Sequence, residues 1–224
     1  EGIAKPILLG NKKTIQNLIS ENHLELEGVE IIDPKSEEQK IRRYEFAQIL
    51  YRKRQRKGMT INNAIELMND RNYFSTMLVE NGIADAMVSG LTNNYPNTIR
   101  PALQIIGKTK GASLVSGMYI INTKKGPFFF ADTTVNKNPT TEQLVEITRQ
   151  TVYAVKQFNI EPRVAMLAYS NFGSNQGRIP QLVRDAVKIL HTENPELIVD
   201  GEIHANVALN PQLLVENFPF SKLV

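Results

Sequence analysis

Short apolar runs of strand length alternate along this chain with segments whose apolar residues recur every three or four positions, which restricts it to an α/β architecture. Residues 3–9 read as a strand stopped by Gly10, and Ile15, Leu18 and Ile19 follow at helical spacing. Residues 29–32 form a second strand, ended by Asp33 and Pro34. Ser36 then stands where it can cap a helix carrying Ile41, Tyr44, Phe46, Ile49 and Leu50. Thr60 can cap a helix through Ile61, Ala64, Ile65 and Met68, and a further helix through Met77 and Val79 stops at Gly82. Residues 86–88 read as a buried strand. A helix through Leu103, Ile105 and Ile106 comes before two strand-like runs, 114–121 and 128–131, and the polar turn 122–126 between them predicts a hairpin or an edge extension.

At Pro139 the pattern restarts. Thr140 and Gln143 have capping-box spacing ahead of a long amphipathic helix with Leu144, Ile147, Val155 and Phe158. Residues 164–168 are strand-like, a loop rich in Ser, Asn and Gly leads into a helix with Leu182, Val183, Ala186, Ile189 and Leu190, and residues 197–199 form another strand. The expected organisation is two three-layer α/β domains, 1–139 and 140–224, with largely parallel sheets and helices on both faces.

Hydrophobic residues make up 42% of the 224, enough for a real core. The absence of cysteine excludes disulfides, thiolate metal ligands and a cysteine nucleophile. The longest apolar runs fall far short of the roughly 20 residues a membrane-spanning helix needs, and no signal segment opens the chain, so a cytoplasmic location without a membrane partner is expected. With 26 basic against 23 acidic residues the net charge is +3, which attracts polyanions only weakly, and no nucleic-acid partner is expected.

The loop Tyr169-Ser170-Asn171-Phe172-Gly173-Ser174-Asn175-Gln176-Gly177 joins a strand to a helix, where backbone N–H groups and hydroxyls can converge on a phosphate. Any strand-to-helix turn uses the same residue types for its geometry, so the loop alone leaves both readings open. Arg100, just before Pro101 and near the expected start of a helix, can bind phosphate bidentately or stay solvated. The basic run 52–57 sits where cations complement the end of a helix dipole, a role preferred over ligand contact. His23, His191 and His204 have neither metal-ligand spacing nor a triad pattern, so no metal site is assigned. Gly10-Asn11-Lys12-Lys13-Thr14 superficially resembles the end of a phosphate-binding loop, but neither a complete loop nor a G-x-G-x-x-G is present.

Ala86-Met87-Val88-Ser89-Gly90, followed by Thr98-Ile99-Arg100-Pro101-Ala102-Leu103-Gln104-Ile105-Ile106, resembles the most recognisable stretch of the phosphate acetyl/butyryltransferase family. Glu161-Pro162-Arg163-Val164-Ala165-Met166-Leu167 and Asp200-Gly201-Glu202 match in the same order, and the likeness runs essentially from end to end. Asn72-Tyr73-Phe74, Asn94-Tyr95-Pro96, the run 129–136 and Ser170-Asn171-Phe172-Gly173-Ser174 resemble the version fused behind NADP-dependent malic enzymes. Residues 92–98 stand where the transferases carry a His/Ser-Thr-Thr-Ala-Asp-Thr type stretch. The family's closing Lys-Pro-Val-Asn-Asp-Leu-Ser-Arg-Gly-like segment has no counterpart, so the second domain is expected to be truncated relative to the family.

That resemblance implies an isocitrate/isopropylmalate dehydrogenase-like fold with an interdomain cleft. It also implies a phosphotransacetylase-like regulatory domain of an NADP-dependent malic enzyme, without catalytic residues of its own. Such a domain binds acetyl-CoA or another acyl-CoA as effector and contributes to a homodimer or higher oligomer. Arg54, Arg100, Ser170, Asn171 and Ser174 are the candidate acyl-CoA or phosphate contacts, while NADP and a divalent metal belong to an upstream part. The alternatives are an active phosphate acetyl/butyryltransferase, moving an acyl group between acyl phosphate and CoA, and a structural dimerisation module using apolar faces around 144–158.

Overall fold

Three strand pairs, each two strands wide, organise the described residues, 2–26 and 28–224, of this computed structural model. The residues up to Lys108 form one compact unit and Thr109–Val224 a second. The division therefore falls ahead of the hairpin and not at the restart near Pro139.

In the first unit, β1 (Ile7–Leu9), α1 (Lys12–Glu21) and β2 (Glu30–Ile32) make one β-α-β step with parallel strands, Ile7 lying opposite Glu30 and Leu9 opposite Ile32. Four helices follow: α2 (Lys40–Arg54), α3 (Ile61–Leu67), α4 (Arg71–Glu80) and α5 (Tyr95–Ile105). Their apolar faces make the core, in which Phe46, Ala47 and Leu50 of α2 meet Ala64, Met68, Phe74, Met77, Leu78 and Ile105. The rings of Phe46 and Phe74 pack with centroids 5.3 Å apart. A buried side chain of this size contributes roughly 1.5–3 kcal/mol, so helix packing outweighs what three-residue strands supply. Local chemistry sets the helix starts: Asn11 accepts from the Thr14 N–H, Thr60 and Asn63 form a capping box, and Asp70 accepts from the Asn72 and Tyr73 N–H groups. Ser36 makes no side-chain cap, and its carbonyl instead accepts from Arg43 at 2.6 Å.

The expected buried strand at 86–88 is absent, and Val88 is fully exposed. This segment is fastened by side chains instead of a ladder. The Met87 sulfur accepts from the Ser75 and Thr76 hydroxyls at 2.8 and 3.4 Å, and the Ser89 hydroxyl donates to the Asn72 carbonyl oxygen at 2.6 Å. Consequently neither unit contains the broad parallel sheet read from the sequence.

The second unit opens with the antiparallel hairpin β3 (Met118–Thr123) and β4 (Gly126–Ala131), Met118 opposite Ala131 and Thr123 opposite Gly126. α6 (Thr141–Lys156) begins at the Thr140–Gln143 capping box that the sequence spacing calls for. β5 (Arg163–Leu167), α7 (Arg178–Glu193) and β6 (Ile198–Ile203) form a second β-α-β step with parallel strands, and α8 (Ala205–Ala208) and α9 (Pro211–Asn217) follow. Val145, Met166, Val183, Ala186, Val187, Leu190, Leu197 and Val199 are its core. Of the apolar α6 face proposed for self-association, Val145, Ile147 and Val155 are spent inside the unit, leaving Tyr153 and the following Phe158 exposed.

After β4 the chain closes around one carboxylate. Asp132 accepts from the Gly117 and Val135 N–H groups at 3.3 and 3.0 Å, from the Asn136 N–H at 2.9 Å and from the Asn136 side-chain amide, which also donates to the Val115 carbonyl at 2.9 Å. Burial pushes the Asp132 carboxyl up, but the Asn136, Val135 and Gly117 donors together outweigh burial and hold it below the usual carboxylate range. A depressed folded value means that the stability this group adds is fully present above its unfolded value and is lost as the pH falls through the folded one. Asp132→Asn should therefore melt below the parent at neutral pH, with the gap closing as the pH drops below about 4. Thermal melts of both proteins across that range check it; a gap constant with pH would refute the assignment.

Candidate functional site

In the first unit, α2 and α5 each supply a guanidinium that acts on one tyrosine of α4. Lys53, near the end of α2, donates to the Glu80 carboxylate on α4 and to the Ile105 carbonyl of α5 at 2.8 Å, tying the ends of three helices together. Arg54 follows it, half-buried, and Arg100 projects from α5. Both guanidiniums act electrostatically on the phenol of Tyr73, whose hydroxyl donates to Gln104 at 2.8 Å. Burial dominates and keeps the Tyr73 phenol above its ordinary value, while Arg100 and Arg54 pull it down and Asp70 pushes it up. Neither guanidinium makes an ion pair or hydrogen bond with protein among the described residues. Two guanidiniums without an ion pair thus act on one phenol, with the Asp70 carboxylate acting on it in the opposite sense.

Arg100 is not near a helix start. α5 begins at Tyr95, so Arg100 is its sixth residue, and Pro101 lies buried inside the helix. A proline there has no N–H for the carbonyl four residues back. That carbonyl, Asn97, is reached by the buried Asn72 side chain at 3.4 Å, while Asn72 also accepts from Ser89. One amide from α4 thus repairs the gap that Pro101 opens beside Arg100.

In the second unit the Ser/Asn/Gly loop runs from the end of β5 to α7, with Ser170 buried, Asn171 half-buried and Ser174, Asn175 and Gln176 exposed. Ser170 is buried and its hydroxyl donates to Glu202 Oε1 at 2.8 Å. The same oxygen accepts from the Gly173 N–H at 2.9 Å and from Arg184 Nη1 at 2.9 Å. Asn171 Oδ1 accepts from the His204 N–H at 2.7 Å, and the Asn171 N–H donates to the Ser174 hydroxyl oxygen at 3.1 Å. Burial raises Glu202, yet Gly173, Ser170 and Arg184 overcome it and keep the carboxyl below its ordinary range. The structure therefore assembles Arg54 with Arg100 in one unit and Ser170, Asn171 and Ser174 in the other, but Ser170 is spent on the protein. Tyr73, Gln104, Arg184 and Glu202 complete these two constellations. Glu202, Gln104 and Tyr73 carried a signal in the Asp200-Gly201-Glu202, 98–106 and Asn72-Tyr73-Phe74 matches, whereas Arg184 carried none.

Among the described residues no cluster of three or more His, Asp or Glu side chains is placed to hold a metal, and no helix is long and apolar enough to cross a membrane.

Removing the buried Asn72 amide takes away both its bond to the Asn97 carbonyl and the one it accepts from the Ser89 hydroxyl, a loss of about 1–3 kcal/mol. Asn72→Ala should lower unfolding stability by that amount in urea titration. No change would mean that the carbonyl beside Pro101 does not depend on it.

The model of the phosphate acetyl/butaryl transferase family matches residues 1–224. A phosphate acetyltransferase from Synechocystis sp. is 37% identical over 222 residues, covering 98% of this chain and 31% of that protein. One from Bacillus subtilis is 38% identical over 221 residues, covering 99% of this chain and 67% of that protein. A phosphotransacetylase structure from Streptococcus pyogenes superposes with a TM-score of 0.79 at 34% identity, covering 99% of this chain and 67% of that one. The chain thus spans about a third of the first relative and two thirds of the others. These relatives overturn the malic-enzyme expectation, together with its oxidoreductase and NADP assignments. The motifs behind that expectation have packing roles: Tyr73 and Phe74 lie in the core, Asp132 and Asn136 close a turn, and Ser170 binds Glu202. From the matched length and the shared fold, the chain belongs to the phosphate acetyl/butaryl transferase family.

Proposed function

We propose that this chain is the part of a phosphate acyltransferase that grips the phosphoryl group of an acyl phosphate while its acyl group passes to or from CoA. The observation that carries this reading is the pair of unpartnered guanidiniums, Arg54 and Arg100, beside Tyr73. In the forward direction the CoA sulfur, as thiolate, attacks the acyl carbon. The carbonyl becomes a tetrahedral oxyanion; as it collapses, the bond between the acyl carbon and the bridging oxygen breaks, and phosphate leaves with that oxygen and the electron pair. Charge accumulates on the departing phosphate, and two guanidiniums held by α2 and α5 can neutralise it without reorganising. The names of the relatives support the same chemistry, and the ligand class is an acyl-CoA with an acyl phosphate or inorganic phosphate.

Hydrogen bonds to charged groups are each worth about 1.5–3 kcal/mol, or roughly 10- to 100-fold in affinity. In a longer protein containing this chain, formation of acetyl phosphate from acetyl-CoA and phosphate should be measurable as thiol release. Arg100→Ala and Arg54→Ala should each raise the KM for phosphate at least ~10-fold. Activity with phosphate KM unmoved in both variants would remove these residues from the site. Absence of the reaction in the parent protein would sink the reading itself.

A further inference from the structure

Glu202 is an expensive residue to keep where it is. Its side chain is fully buried, three donors converge on Oε1, and Oε2 is buried with no partner among the described residues. Three donors on one oxygen, one of them a guanidinium, suit an anion better than the neutral glutamine of equal size. A bare buried carboxylate oxygen adds nothing to stability. The charge is explained by Arg184, which is 17% exposed and spans the loop: Nη1 donates to Glu202 and to the Asn175 carbonyl at 3.2 Å, and Nη2 donates to Gln181 at 2.8 Å. Together with the Phe172 N–H, which donates to the Glu202 carbonyl at 2.8 Å, these bonds fix the loop at residues 170, 172, 173 and 175.

Held this way, the loop keeps side-chain donors unspent among the described residues, at Asn171, Ser174 and Asn175. The Ser174 hydroxyl oxygen accepts from Asn171 and retains its own proton, and the Asn171 side chain uses only its oxygen, leaving its amide N–H groups free. Ser174 is exposed. We infer that Glu202, through its ion pair with Arg184, is a positioning residue that sets the Ser174 hydroxyl and the Asn171 side-chain amide as donors toward a phosphate-bearing ligand. The kinetic part of this inference rests on the proposed acyltransferase activity; the structural part does not.

Glu202→Gln separates the two. In the full-length protein containing this chain, hydrogen exchange of the Phe172 and Gly173 amides should accelerate at least ~10-fold in the variant while the amides of β5 and β6 keep their protection. Arg184→Gln should reproduce the effect if the substitution at 202 impairs folding. In thiol-release assays, Glu202→Gln should raise the KM for the phosphate-bearing substrate about 5-fold or more, with kcat within ~2-fold, as expected when uniform binding is lost. Unchanged loop exchange overturns the inference, as does acceleration spread evenly over β5 and β6, which marks a purely stabilising residue. Selective loop exchange with an unmoved KM overturns the ligand-directing part. Where the parent shows no acyl transfer, the functional reading falls and the exchange pattern still decides the role of Glu202.

Discussion

A parallel pair of short strands leaves both its edges and one or both faces bare, and everything else in each unit follows from that constraint. β1 with β2, and β5 with β6, bury little by themselves. The helices beside them supply the apolar area: α2, α3 and α4 converge on Phe46, Phe74 and Met77, while α6 and α7 close over Met166 and Val199. Because helix packing fixes the units, side chains near the helix ends are positioned to within the tolerance of a packed core. Lys53 shows the effect, joining α2, α4 and α5 immediately beside Arg54.

Between the helices the chain is irregular, and irregular backbone inside a core needs partners for its N–H and carbonyl groups. Three side chains meet much of that demand. Asn72 supplies the carbonyl that Pro101 leaves open, Asp132 collects the amides after the hairpin, and Glu202 takes the Gly173 amide together with the Ser170 hydroxyl and Arg184. All three sit near ligand candidates or in stretches with a family look. A buried polar hub of this kind specifies one loop conformation, since every alternative strands a donor or an anion.

Elements with local chemical causes were legible in the sequence. The Thr140–Gln143 capping box, the hairpin around 122–126 and the apolar stripe of α7 appear where spacing places them. Features decided by distant partners were not. The run 86–88 has strand composition, yet Met87 is claimed by hydroxyls of α4, an interaction without sequence periodicity. Arg100 looked like a helix-start residue because Pro101 favours first turns, and the compensating Asn72 lies 25 residues away from the carbonyl it reaches. Arg54 was readable as one cation in a basic run, and only packing distinguishes it from Lys53, whose charge is neutralised within the protein.

The difference between spent and unspent polar groups also explains why motif reading identified the family but missed the finer assignment. A word such as Ser170-Asn171-Phe172-Gly173-Ser174 records residue types, and the same types arise from folding demands as readily as from ligand demands. Ser170 answers to Glu202, and Asn171 answers to His204. Distinctive residues of that sort mark how a loop is built, so they follow lines of descent without reporting the reaction. Arg54 and Arg100 carry the opposite information. Two guanidiniums near one phenol repel each other, and no protein carboxylate among the described residues offsets that repulsion through an ion pair. Arg54 also stands in the last turn of α2, where a cation complements the helix dipole, so the helix end accounts for its charge and the proposed anion would give the pair a second use.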